Sequence, residues 1–168
     1  MKQNKAELTF TPVQKIIFDE FTKNSNLTKK FYFTGGTALS AVYLHHRESE
    51  DLDFFSSSEF ENVPVDLFIN YVSKKIHAKP HLIEREVVRI YELIQNSRVI
   101  IKVDFAYYPY KRIKKGIKIN GVTVDSMRDI ATNKLHTITS RTEVKDFVDL
   151  YFLLKEFSLW DLLYGVEH

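Results

Sequence analysis

Two aspartates, Asp51 and Asp53, stand one residue apart in the run Asp51-Leu52-Asp53. On a β-strand, residues i and i+2 point the same way, so both carboxylates fall on one face. Like charges this close raise each other's pKa unless a cation sits between them. A hard divalent ion, magnesium or in its place manganese, prefers oxygen ligands and keeps waters and substrate phosphates in its shell. Two such ions can activate an attacking hydroxyl and stabilise the leaving oxygen of an in-line phosphoryl displacement. Asp104 adds a third carboxylate, on the polar face of an otherwise apolar strand where an uncompensated charge would be costly to bury. The expected metal set is Asp51, Asp53 and Asp104.

Upstream lies Gly35-Gly36-Thr37, with residues 37 through 50 between the second glycine and Asp51. Two adjacent glycines let a strand-to-helix turn bring backbone N–H groups against a triphosphate, near the positive end of the following helix. Thr37 adds a hydroxyl, which makes Gly35, Gly36 and Thr37 the expected nucleotide-binding turn. Taken singly, each feature has a plainer reading. A Gly-Gly pair is most often a tight turn, an Asp-x-Asp is most often a solvated strand edge, and Asp104 has Lys102 or a distant arginine as alternative partners. The order of the three on their elements is what narrows the reading.

The elements that must position them are legible in outline. Thr11 opens a helix with Pro12 at its first position, Gln14 closing a capping box, and Val13, Ile16, Ile17 and Phe21 as an apolar stripe. Phe31–Phe33 reads as a short strand ending at the glycines, Thr37 to about His46 as a helix, Asp51–Phe55 as a second strand, and Pro64 to about His77 as a helix. Val87–Gln95 and Arg98–Ala106 form a β-hairpin across Asn96-Ser97. In the second arm Val99, Ile101, Val103 and Phe105 share one face, and Ile100, Lys102 and Asp104 the other. Val122–Val124 is a further short strand. A helix follows from about Ser126 to Thr139, then another opened by a Ser140-Arg141-Thr142-Glu143 capping box and running through Phe147, Leu150, Tyr151 and Leu154. This order implies an α/β (α+β) architecture, a mixed sheet flanked by helices with a short helical C-terminal part. Residues 1–125 would form the catalytic core and 126–168 the helices packed on it, as one compact unit.

At 168 residues, 44% hydrophobic and 27% charged, the chain has the balance of a folded domain. It has no apolar run long enough to cross a bilayer and no apolar leader in its first residues, so no membrane partner is expected. The absence of cysteine removes disulfides and thiolate zinc sites and fits a cytoplasmic location. The net charge of +2 is unremarkable, but Lys111, Arg112, Lys114, Lys115 and Lys118 fall in one stretch without an acidic residue, beside Tyr107, Tyr108 and Tyr110. Cations can meet phosphates there while tyrosines stack on bases; the other reading is a lysine-protected edge strand. Because the stretch follows Asp104 directly, it should lie near the carboxylates. The six histidines show no metal-ligand spacing, and His45-His46 reads as a helix end.

The glycine pair, the Asp-x-Asp strand and the later strand aspartate together resemble the polymerase-β-type nucleotidyltransferase superfamily. More narrowly, GGTALSAVYLHHRESEDLDFF (35 to 55) and DIATNKLHTITSRTEVKDFVDLYFL (129 to 153) resemble the AbiEii/AbiGii-type toxins of type IV toxin–antitoxin systems. The resemblance implies a polymerase-β-like fold and transfer of a nucleotide from an NTP, with Lys134 facing the triphosphate. Asp146 matches a functionally important acid, either orienting Lys134 or acting as a base; Arg47 and Ser49 also match. The plainer readings are an exposed helix lysine for Lys134, acids favouring the first turns of a helix for Asp146 and Asp149, and residues shaping the loop before the Asp-x-Asp strand for Arg47 and Ser49. The resemblance further implies an RNA acceptor, the 3′ end of tRNA as in relatives, and a cognate antitoxin. A small molecule such as an aminoglycoside is the alternative acceptor, and a catalytically silent binding module the alternative role. Better-known members continue into a helical half past the Asp-Leu-Tyr-Phe-Leu segment, so acceptor recognition here would lean on an oligomer, a partner or the basic stretch.

Overall fold

The computed structural model describes residues 8–167, the side chain of residue 167 excepted. Helix α1 (Pro12–Lys23) starts as its sequence dictates: the Thr11 hydroxyl accepts from the Gln14 N–H and the Gln14 side chain accepts from the Thr11 N–H. Its buried stripe is Ile17, Phe18 and Phe21, whereas Ile16 is exposed. Helix α2 (Ser25–Lys30), capped by Asn24, leads into β1 (Tyr32–Thr34). Helix α3 (Gly35–Ala38) follows and continues as a π-helical segment over Leu39–Leu44, closed by His45 in the left-handed conformation. The glycines therefore form the first turn of the helix itself. After β2 (Leu52–Ser56) and α4 (Asn62–Lys75) come β3 (Lys79–Arg85), β4 (Val88–Gln95), β5 (Arg98–Tyr107), β6 (Ile117–Ile119) and β7 (Val122–Val124). Helices α5 (Met127–Ser140), α6 (Val144–Leu153) and α7 (Leu159–Glu167) close the chain.

The strands form one mixed sheet in the order β3-β4-β5-β2-β1-β7-β6. β2 runs parallel to β5 and β1 parallel to β7; the remaining neighbours are antiparallel. Register alternates two rows across the central strands. In one row Val124, Phe33, Phe54 and Phe105 are successive Cα partners, all fully buried. Phe18 and Phe21 of α1 and Phe68 of α4 pack on this row, with Phe21 stacked 4.0 Å from Phe54. In the next row Thr34, Asp53 and Asp104 are partners, and the pleat turns them to the opposite face. The aromatic core thus fixes the register that brings the aspartates together, since a one-residue slip would invert both faces.

Several expectations are corrected. A register shift at Leu93/Ile94 pairs Ile101 with Leu93 but Val99 with Ile94, so Ile100 is an extra residue, Val99 lies exposed, and Ile100 packs partly on the core. The Ser140 capping box does not form. α5 runs through Ser140, whose hydroxyl donates to the Thr137 carbonyl, while Arg141 is drawn to Asp146 and α6 starts after Glu143 without a side-chain cap.

Candidate active site

β2 and β5 place Asp53 and Asp104 directly opposite each other as Cα partners. Oδ1 of Asp104 is buried without a hydrogen-bond partner. Burial, then the neighbouring Asp51 charge, pushes the Asp53 carboxyl up to about 6. Burial, then Asp53 and Asp51, pushes Asp104 up to about 7. The Asp51 carboxylate sits farther out, with Oδ2 3.6 Å from Lys145 Nζ. Among the described residues no three Asp, Glu or His side chains are gathered tightly enough to enclose an ion as they stand. The all-oxygen donor set, the repulsion within it and the orphaned Asp104 oxygen nevertheless fit a hard divalent cation, with Asp53 and Asp104 as its inner pair and Asp51 at its rim.

Gly35 lies against this pair. Its φ is +75°, and a Cβ there would fall 1.9 Å from Oδ2 of Asp53. Only glycine meets both constraints. A Cβ on Gly36 would sit 2.7 Å from Arg47 Nη2 and 3.7 Å from Lys134 Nζ, so a side chain there would crowd the Arg47 guanidinium. Thr37 is buried, and its hydroxyl donates to the Asp51 carbonyl while lying 2.8 Å from Ser49 Oγ. That bond holds the entry to β2 in place, a different task from the phosphate contact expected of it. Gln14 secures the same loop by donating from its side-chain amide to the Ser49 carbonyl.

Lys134 is buried rather than an exposed helix lysine; its Nζ lies 2.7 Å from Asp146 Oδ1 and 2.8 Å from Asp149 Oδ2. An ammonium has three donors, so one remains for a ligand beside Gly36. Arg141 also donates to Asp146, and Arg47 grips Asp149 through Nε at 2.6 Å and Nη2 at 2.8 Å. His46 Nε2 lies 2.7 Å from Asp149 Oδ1. Burial alone would raise both carboxyls, but Lys134 and Arg141 hold Asp146 below the usual range, and Arg47 and Lys134 do the same for Asp149. Arg47 and Lys134 place positive charge beside Gly36, which suits an anionic ligand. Asp146 makes with Lys134 the contact that the first of the two roles offered for it requires. Asp149, Arg47 and His46 carry more of the site than the sequence reading gave them. The signal was the i, i+3 spacing of Asp146 and Asp149, which puts both on one helix face.

Gly35, Gly36, Asp53, Asp104, Lys134 and Arg141 line one cleft of about 390 Å³, within the roughly 300–1,000 Å³ typical of small-molecule sites. Tyr107 and Tyr108 line it too, so the start of the basic stretch does reach the site. Farther on, Lys118 lies in β6, the sheet's edge strand, as the alternative reading had it.

A mixed sheet that presents paired strand carboxylates beside a glycine-opened helix defines the polymerase-β-like nucleotidyltransferase fold, and solved structures agree. JHP933 from Helicobacter pylori superposes with a TM-score of 0.62 at 21% identity, over 86% of this chain and 64% of that one. MenT4, a nucleotidyltransferase toxin from Mycobacterium tuberculosis H37Rv, superposes with a TM-score of 0.54 at 13% identity, over 92% and 62%. Residues 17–164 match the model of the nucleotidyl transferase AbiEii toxin family of type IV toxin–antitoxin systems, and the chain belongs to that family. An uncharacterized protein of Aquifex aeolicus (strain VF5) is 34% identical over 140 residues, 79% of this chain and 61% of the relative. The chain thus spans about three fifths of that relative's length.

Proposed function

We propose that this protein transfers a nucleoside monophosphate from an NTP to an RNA acceptor, the 3′ end of tRNA, in a metal-dependent reaction, and that it is the toxin of a pair held in check by a cognate antitoxin. The observation that carries the reading is the juxtaposition of Asp53 and Asp104 with an unpartnered buried oxygen, facing the Gly35-Gly36 turn. Asp51, Asp53 and Asp104 would hold magnesium, or manganese in its place. The bound ion would supply charge neutralisation at the reacting phosphate and lower the pKa of the attacking hydroxyl.

The chain's own groups do the rest. Gly35 and Gly36 let a triphosphate approach the first turn of α3 without a Cβ in the way. Lys134 offers its free N–H to that anion while Asp146 and Asp149 fix its position, so little reorganisation is needed when charge develops. Arg47 and Arg141, each committed to a carboxylate, add to the local positive potential. Membership of the family supports the toxin role and the antitoxin. The tyrosines and cations that follow β5 support a nucleic-acid acceptor.

The test is incubation with α-labelled NTPs and magnesium, with total tRNA in one arm and an aminoglycoside panel in the other. The reading expects label on RNA only. Label confined to the small molecule would overturn the RNA acceptor, and label on neither, with no magnesium-dependent NTP binding, would indicate a silent module.

A further inference from the structure

Beside the cleft, on the same face of the sheet, lies a second and smaller cavity of about 180 Å³. Its floor is Asp125, which follows β7 and donates its N–H to the Phe33 carbonyl of β1. Asp125 Oδ2 accepts from the Thr34 hydroxyl and Oδ1 from the Ser126 N–H, and Thr34 is itself the Cα partner of Asp53. The carboxyl therefore stands about two strand spacings, roughly 10 Å, from Asp53. Tyr108 closes the side towards the cleft; its hydroxyl donates to Asn133 Oδ1 at 2.7 Å, and both residues line both cavities. That bond leaves the Asn133 amide N–H₂ as a free donor.

Three further features indicate an unmet ligand. Thr132 Oγ1 is buried without a hydrogen-bond partner in this wall. The rings of Tyr108 and Tyr110 lie 4.7 Å apart at the mouth, and Tyr110 is largely exposed. Arg112, also at the mouth, lies 4.8 Å over the Tyr32 ring with no carboxylate in ion-pair range among the described residues. Size then limits the occupant. A cavity of about 150 Å³ admits a benzene ring, so this one takes a planar ring but not a whole nucleotide. A sugar-phosphate would stay outside it.

We infer that this cavity is a nucleobase pocket serving the catalytic cleft, selective for a base that presents an amino donor beside a ring-nitrogen acceptor. Adenine and cytosine each present an amino donor beside a ring-nitrogen acceptor, complementary to the Asp125 carboxyl and the Asn133 amide, whereas uracil offers a ring N–H between two carbonyls. Burial, with Asp129 nearby, pushes the Asp125 carboxyl up to about 7, so near neutral pH it can present an O–H donor beside an oxygen acceptor. The ribose and phosphate of the same nucleotide would then span the distance to the aspartates. The inference rests on the nucleotidyl-transfer reading for what the cleft does, but the pocket's base preference is measured separately. The base belongs either to the incoming NTP or to the acceptor's terminal residue.

The test is calorimetric titration of wild-type protein with the four NTPs and with four tetranucleotide RNAs differing only in the 3′ base, with transfer assayed in parallel. One series should bind adenine or cytosine at least five-fold more tightly than uracil, and the series showing the preference identifies the source. Asp125→Asn should reduce the preference below two-fold. Ile113→Trp, a partly exposed lining position where the indole would fill the cavity, should do the same without touching the floor. Equal affinities in both series, or a preference that survives both substitutions, would overturn the pocket. Transfer without base preference would sink the pocket and leave the reading of the cleft intact; preference without transfer would do the reverse.

Discussion

Asp53 and Asp104 are Cα partners across the parallel β2–β5 pair, with burial and mutual repulsion pushing them up to about 6 and about 7. Two carboxyls held above their unfolded values near 4 bind more protons folded than unfolded. The metal-free fold therefore loses stability as pH rises from about 4 to about 7. Asp104→Asn removes part of that cost. Metal-free Asp104→Asn protein is expected to be more stable than wild type at pH 8, by on the order of 1–2 kcal/mol, and indistinguishable from it near pH 4. Denaturant titration at the two pH values checks this, and magnesium should stabilise wild type but not the variant.

Gly35 combines a φ of +75° with a Cα pressed on the Asp53 carboxylate. Gly35→Ala must both strain the backbone and displace the Asp53 side chain. A stability loss of about 1–3 kcal/mol is expected, together with loss of nearly all transfer activity. Gly36→Ala meets a guanidinium end instead, so it should retain more stability than Gly35→Ala in the same thermal melt.

Asp149 is fully buried and receives Arg47, Lys134 and His46. Asp149→Ala leaves buried cations short of a partner, a change that typically costs about 3–5 kcal/mol. Asp149→Asn keeps the shape and should cost less. The ordering of wild type, then Asn, then Ala in a denaturant midpoint series is the expected result.

What the sequence made legible followed from local rules. The Thr11–Gln14 capping box, the Asp-x-Asp face and the Asn96-Ser97 hairpin, whose two turn residues both have positive φ as a type I′ turn requires, all depend on neighbours within a few residues. What stayed hidden depends on distant partners. β3 contains Pro80 and is exposed along most of its length, so no alternating pattern marks it; its pairing with β4 makes it a strand. Ser140 satisfies the capping pattern, yet the pull of Asp146 on Arg141 sets the turn instead. The carboxylate faces were predictable, whereas the Lys134–Asp146–Asp149–Arg47 network joins two helices and a loop that only the fold brings together.

The most direct test of the account is the rate of label transfer from an α-labelled NTP to tRNA, with magnesium and with excess chelator, for wild type and Asp53→Asn. The account predicts magnesium-dependent labelling by wild type and a fall of at least about 100-fold for the variant, whose fold is checked by its melting curve. Labelling by Asp53→Asn at the wild-type rate, or undiminished labelling in chelator, would contradict it.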